Sequence, residues 1–256
     1  MCRIFKIIIS FIFIATTTYS QETKRFFPYK TLKIIPHKRY GKWHSVSNLE
    51  KGLIIEHKYY SKKTVTRIQK NVYDKHNNII YEIRLYDIDN GYKVDTIFRY
   101  SNDYDDQNRL IKKRYHFGLI ENYSDFNKNS KPRLITRPDN KSLFFRPLKE
   151  ELEYDSIGNL VKEIHTEIEY PSSKNDTIKK YTITINQYKY DLFGNIIEIR
   201  RQNNPKIEYP IIMTGGLPLY ELENFKYKYK KDGLWLKKYW IAGGRKILLQ
   251  KRKFEK

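Results

Sequence analysis

Tyr154-Asp155-Ser156-Ile157-Gly158-Asn159-Leu160 and Tyr190-Asp191-Leu192-Phe193-Gly194-Asn195-Ile196 decide the fold. Both read Tyr-Asp-x-x-Gly-Asn-apolar, and looser copies begin at Tyr73, Tyr104 and Tyr229. One residue on stand Asp74, Asp105, Asp155 and Asp191, with Lys230 as the exception. Four residues on stand Asn77, Asn108, Gly158, Gly194 and Gly233, and six on stand Ile79, Leu110, Leu160, Ile196 and Trp235. The tyrosine closes an incoming strand, and the aspartate starts a type I turn by accepting a backbone N–H two residues on. The Gly or Asn takes the left-handed conformation that these residues tolerate best. Together they specify the type I turn plus bulge of a β-hairpin, and the apolar residue returns the chain to a sheet.

The flanking segments alternate with period two, the signature of antiparallel strands with one buried face. Ile79, Tyr81, Ile83 and Leu85 share a face opposed by Glu82 and Arg84. Leu160, Ile164 and Ile168 do the same, and Phe225, Tyr227 and Tyr229 oppose Lys226, Lys228 and Lys230. Apolar residues are nearly all Ile, Tyr, Phe, Val or Leu, which suit a pleated surface, and the mature part has one alanine, Ala242. The expected fold is all-β: an extended, twisted antiparallel sheet of successive hairpins. The tyrosines are spaced by 31, 50, 36 and 39 residues, so further hairpins fill the gaps, one turning at Asp89-Asn90-Gly91. Pro-rich polar stretches near 127–147 and 203–218 read as inserted loops.

The repeat resembles the YD repeat of the rearrangement-hotspot (Rhs) proteins, and Tyr104-Asp105-Asp106-Gln107-Asn108-Arg109-Leu110 is similar to its Arg-Leu variant. In that family many copies spiral into a β shell, often around a toxic C-terminal segment. Five copies are too few for a large shell, and the repeats run almost to Lys256. The resemblance therefore implies a short, open sheet of YD-like hairpins without a toxin module. It carries over no catalytic residue.

Residues 1–20 read as a secretory signal peptide: Arg3 and Lys6, an apolar core from Ile7 to Ala15, then Thr18-Tyr19-Ser20. The core is far shorter than the ~20 residues of a membrane span. One domain over 21–256 is then expected, exported to the periplasm or outside the cell, without stable membrane insertion after cleavage. Cys2, the only cysteine, leaves with the signal, so no disulfide is expected. Losing Arg3 and Lys6 takes the formal charge from +21 to +19. The basic residues look scattered along the chain, as a Lys-, Ile-, Asn- and Tyr-rich composition produces, rather than clustered as a nucleic-acid site requires.

Six histidines stand singly, without ligand spacing, so neither metal nor other cofactor is expected. No nucleophile elbow or phosphate loop occurs. Glu150, Glu151, Glu153 and Asp155 supply carboxylates, which read as turn caps and solvated strand faces. Ligand-binding candidates are Trp43, Tyr239 and Trp240, whose rings could stack on sugars or a protein, and Lys226 and Lys228, which could meet a polyanion. Trp235 fills the repeat's apolar position and reads as core. Asp95-Thr96-Ile97, Asp155-Ser156-Ile157 and Asp176-Thr177-Ile178 match short O-glycosylation tripeptides. The reading is a non-catalytic binding or scaffold module of the cell envelope, with a polysaccharide or protein partner and no nucleic acid. The alternatives are an immunity-type protein that neutralises a toxin and, more distantly, a carboxylate-dependent hydrolase.

Overall fold

The computed structural model describes residues 29–36, 43–87, 92–139, 147–169, 180–212 and 218–255. The signal segment, the Asp89-Asn90-Gly91 turn and Asp176-Thr177-Ile178 lie outside them, as do 140–146 and 213–217 of the two expected loops. The described residues form sixteen strands and no helix. They are β1 Thr31–Pro36, β2 Trp43–Glu50, β3 Leu53–Ser61, β4 Thr64–Tyr73, β5 Ile79–Asp87, β6 Tyr92–Tyr104, β7 Leu110–Tyr115 and β8 Ile120–Phe126. Then follow β9 Pro132–Thr136, β10 Lys149–Tyr154, β11 Leu160–Glu169, β12 Lys180–Tyr190, β13 Ile196–Asn204, β14 Leu222–Tyr229, β15 Trp235–Ala242 and β16 Arg245–Glu255. Strand β9 lies inside the stretch read from sequence as the first inserted loop.

Each strand pairs with its neighbours in sequence, and β16 returns to β1, so the strand order is that of a closed barrel. This corrects the open sheet expected above. Closure rests on the antiparallel register Thr31↔Glu255 to Pro36↔Gln250, a pairing between distant segments that no local hairpin signal encodes. The described residues cluster into two compact units, those within Asn102–Asn224, and those within Thr16–Ser101 and Phe225–Lys256.

The repeat turns share one geometry. Asp74 Oδ1 accepts the N–H groups of His76 and Asn78, both at 2.9 Å. Asp155 Oδ1 accepts those of Ile157 and Asn159 at 3.1 and 2.7 Å, and Asp191 those of Phe193 and Asn195 at 2.9 and 3.0 Å. One short carboxylate thus satisfies two donors that the turn would otherwise leave unpaired. Asn77 and Gly158 sit at φ 64° and 90°, and the ladder shifts register at Val72/Tyr73 and Glu153/Tyr154, as a bulged hairpin requires. A further copy, Phe126-Asn127-Lys128-Asn129-Ser130-Lys131-Pro132, escapes the sequence pattern. There Asn127 Oδ1 takes the aspartate's part, accepting from Asn129 and Lys131 at 2.9 and 3.0 Å.

The tyrosine does more than end a strand. Tyr190 donates its hydroxyl to the Leu160 carbonyl at 2.6 Å, Tyr154 to that of Pro132 at 3.1 Å and Tyr73 to that of Ile54 at 2.8 Å. Each phenol therefore ties its strand to the start of the preceding one, fixing one hairpin against the turn before it. The Tyr229 copy, with Lys230 at the aspartate position, shifts its acid to Asp232. That carboxylate accepts from the Leu234 N–H at 3.1 Å and from the Tyr29 hydroxyl at 2.5 Å. Tyr29, Leu32, Leu49 and Leu234 then form the small apolar core of the second unit.

Candidate functional site

In the first unit the buried face of the sheet is lined with charge. Arg137, just past β9, is 6% exposed and sends Nε and a terminal nitrogen to Glu121 Oε1 on β8 at 2.9 and 2.7 Å. Its other terminal nitrogen donates to the Pro147 carbonyl at 2.8 Å and lies 2.5 Å from Glu150 Oε1 on β10. Beyond Glu150 is His165 on β11, whose Nε2 stands 3.9 Å from Glu150 Oε2 and 3.4 Å from Glu163 Oε2. Glu163 Oε1 accepts from Asn186 at 2.9 Å and Tyr188 at 2.5 Å, both on β12. Tyr115 and Tyr123 donate to Glu121 Oε2 at 2.8 and 2.7 Å. Signs alternate along the row Glu121, Arg137, Glu150, His165, Glu163, and Arg201 pairs with Glu223 at 2.7 Å on the next strands.

The protonation states follow from these neighbours. Burial favours a neutral His165, but Glu163, Glu150 and Glu167 outweigh it and raise the imidazole's pKa. Glu163, although buried, is held below the usual carboxylate range by His165, Tyr188 and Asn186. Burial together with Glu121 pushes the Tyr123 hydroxyl well up, and burial with Glu163 does the same to Tyr188, so both phenols stay donors. The row brings two carboxylates to one histidine, an arrangement the sequence did not reveal. Both carboxylates, at 7% and 5% exposure, are enclosed and engaged, which suits holding strands together.

This row also inverts two of the faces expected from sequence. Glu163 and His165 are buried while Ile164 and Ile168 are only half-buried, and Glu82 is buried while Tyr81 is exposed. A buried sheet face need not be apolar when every charge on it meets a counter-charge or a hydrogen bond. On β14 the expected faces stand: Phe225 is buried and Lys226 and Lys228 are exposed.

The five ligand-binding candidates all lie in the second unit, but they do not form one site. Trp240 is 8% exposed, so its ring offers no face to a sugar. Trp235 is buried beneath the Arg252 guanidinium, 3.6 Å from the ring centroid. Trp43 is 43% exposed at the start of β2, and β16 and β1 lie between β2 and β15 in the strand order. The half-buried Tyr239 ring is covered by the Lys246 ammonium at 4.1 Å. Among the described residues no group of His, Cys, Asp and Glu is placed to hold a metal.

The charge is not scattered once the chain is folded. Among the described residues, Asn102–Asn224 carries 15 basic and 18 acidic ones, whereas Thr16–Ser101 and Phe225–Lys256 together carry 23 basic and 8 acidic ones. Among the described residues the whole positive excess belongs to the second unit. The scatter is an effect of chain order, because that unit is assembled from both ends of the sequence.

No family model matches the sequence, and no curated protein matches it. Among solved structures it is similar to TcdB2-TccC3, at TM-score 0.34 and 16% identity over 80% of this chain and 10% of that one. It is also similar to the Photorhabdus luminescens Tc holotoxin pore, at 0.34 and 15% over 81% and 9%. A porin-like protein from Bacteroides uniformis aligns at 0.36 and 9% over 89% and 98%. The chain spans about a tenth of the length of the TcdB2-TccC3 and holotoxin chains.

Proposed function

We propose that this protein is an exported, non-catalytic β-barrel that binds a partner of the cell envelope through the basic surface of its second unit. The observation that carries the proposal is the partition of charge among the described residues, 23 basic to 8 acidic in one unit against 15 to 18 in the other. Such an excess attracts an anionic partner and repels a second copy. The buried row around Arg137 supports a structural use of the acids that a hydrolase would need exposed. Placement in water, rather than across a bilayer, is supported by the face opposite that row. It presents Lys112 and Arg114 on β7, Glu151 and Glu153 on β10 and Glu198 and Arg200 on β13, charges that a lipid-facing band would bear at about 2–4 kcal/mol for each central cation.

The test is capture from the source cell's envelope and secreted fractions with tagged protein spanning Gln21–Lys256, eluted in steps of salt and assayed for protein and glycan. Retention of an envelope component by this protein, and not by a variant with exposed lysines of the second unit neutralised, is the expected result. Retention of a single protein through high salt would instead favour the immunity-type reading. Capture of nothing by either protein would refute both.

A further inference from the structure

We infer that the exposed face of β14, β15, β16 and β1 is a binding surface for an anionic polysaccharide, read through lysines that the sheet register sets side by side. The inference rests on the proposed envelope role and names the ligand class. Its geometry comes from the ladder. Lys237 on β15 stands directly opposite Lys251 on β16, and Lys253 on β16 directly opposite Lys33 on β1. Cross-strand partners have Cβ atoms about 4.5–5.5 Å apart, and like charges so placed destabilise a sheet. Neighbours on one face of a strand, such as Lys251 and Lys253, follow at about 7 Å. Lys251 and Lys253 are exposed and Lys33 and Lys237 half-buried, and the exposed Lys226 and Lys228 extend the cations to β14.

No described carboxylate forms an ion pair with any of these six lysines, although pairs such as Lys162–Glu153 and Lys189–Glu198 occur in the first unit. The register thus sets two pairs of lysines opposite one another with no carboxylate paired to any of them, and an anion seated between each pair relieves their mutual repulsion. The cation field reaches further, since Lys33 adds to burial in lowering the pKa of His44 on β2.

Side-chain chemistry selects the ligand. The six positions hold lysine alone, a hydrated point charge without the planar fork with which arginine grips carboxylate or phosphate, so contacts here are ionic and hydrated rather than bidentate. Arg252, between Lys251 and Lys253, turns to the opposite face, over the Trp235 ring. Base stacking needs aromatic platforms, and a protein interface needs a core depleted in lysine; these six positions supply neither. A hydrated polymer with carboxylates spaced along a sugar chain needs only such a lattice.

The experiment is titration of full mature protein with polygalacturonate, with neutral dextran, single-stranded DNA and vesicles containing one-third anionic phospholipid as parallel arms. Lys33→Gln, Lys237→Gln, Lys251→Gln and Lys253→Gln are combined in one variant. The control combines Lys112→Gln, Lys128→Gln, Lys149→Gln and Lys206→Gln in the first unit. Polygalacturonate affinity should fall about tenfold or more in the face variant and flatten in its dependence on salt, while the control stays within about twofold. The face variant should melt no lower than the parent, because it removes opposed like charges, so lost binding would not reflect lost folding. Equal loss in both variants would overturn the inference, as would tighter binding of vesicles or DNA than of polygalacturonate. Each of those outcomes leaves capture of an envelope protein open as a separate result.

Discussion

Replacing Arg137 with methionine tests whether the buried charge row holds the first unit together. The guanidinium meets Glu121 through two contacts at 2.9 and 2.7 Å, the Pro147 carbonyl at 2.8 Å and Glu150 at 2.5 Å. Methionine fills much of the volume but leaves two buried carboxylates without their cation. Removing one partner of a buried pair costs about 3–5 kcal/mol. In a chain of this size that corresponds to a melting point lower by about 6–20 °C. Urea unfolding followed by far-UV circular dichroism at pH 7 measures it. Glu121→Gln with Arg137→Met should recover part of the loss, so that the two changes are non-additive by about 1 kcal/mol or more. A single-variant loss below about 1 kcal/mol, or strict additivity, would refute the view that this row is a coupled structural network.

Tyr190→Phe removes the 2.6 Å bond to the Leu160 carbonyl and should cost about 0.5–1.5 kcal/mol in urea unfolding; an unchanged midpoint would deny the phenol its tying role. Gly158→Ala forces a side chain into φ 90° with its Cβ 3.3 Å from Asn129 Nδ2, and should lower stability by about 1–2 kcal/mol in the same assay. His57, held at about 4 by burial and Arg67, binds a proton less readily folded than unfolded. Its contribution is present above pH ~6.5 and is lost as pH falls toward 4, by up to about 3 kcal/mol. His165 has the opposite sign: its raised pKa gives stability present below pH ~6.5 and lost as pH rises through the folded value. Imidazole shifts followed by NMR from pH 3.5 to 8.5 check both, and a His57 titrating near 6.5 would contradict the burial argument.

The turns were legible because their chemistry is local. Asp155 reaches the N–H groups of Ile157 and Asn159 within five residues, and Asn77 and Gly158 meet the positive φ they require without help from elsewhere. The copy at Phe126 went unseen because Asn127 and Ser130 do the same work with different side chains. Among the ligand candidates, Lys226 and Lys228 lie on the exposed face that alternation places them on, while Trp240 is buried. Nothing within a strand indicates that Glu163 and His165 turn inward, since their partners Glu150, Asn186 and Tyr188 lie on other strands.

By itself the sequence determined an all-β chain of bulged hairpins, because turn type and strand alternation depend on contacts a few residues long. Tertiary structure decided that the strand order closes, through Thr31–Pro36 against Gln250–Glu255. It decided that charge rather than hydrocarbon fills the buried face around Arg137, and that the positive excess gathers in the unit built from both chain ends. Each of these depends on strand register and on pairing between distant residues, and a hydrophobic period of two is the same whether the facing strand offers a carboxylate, an arginine or a second lysine.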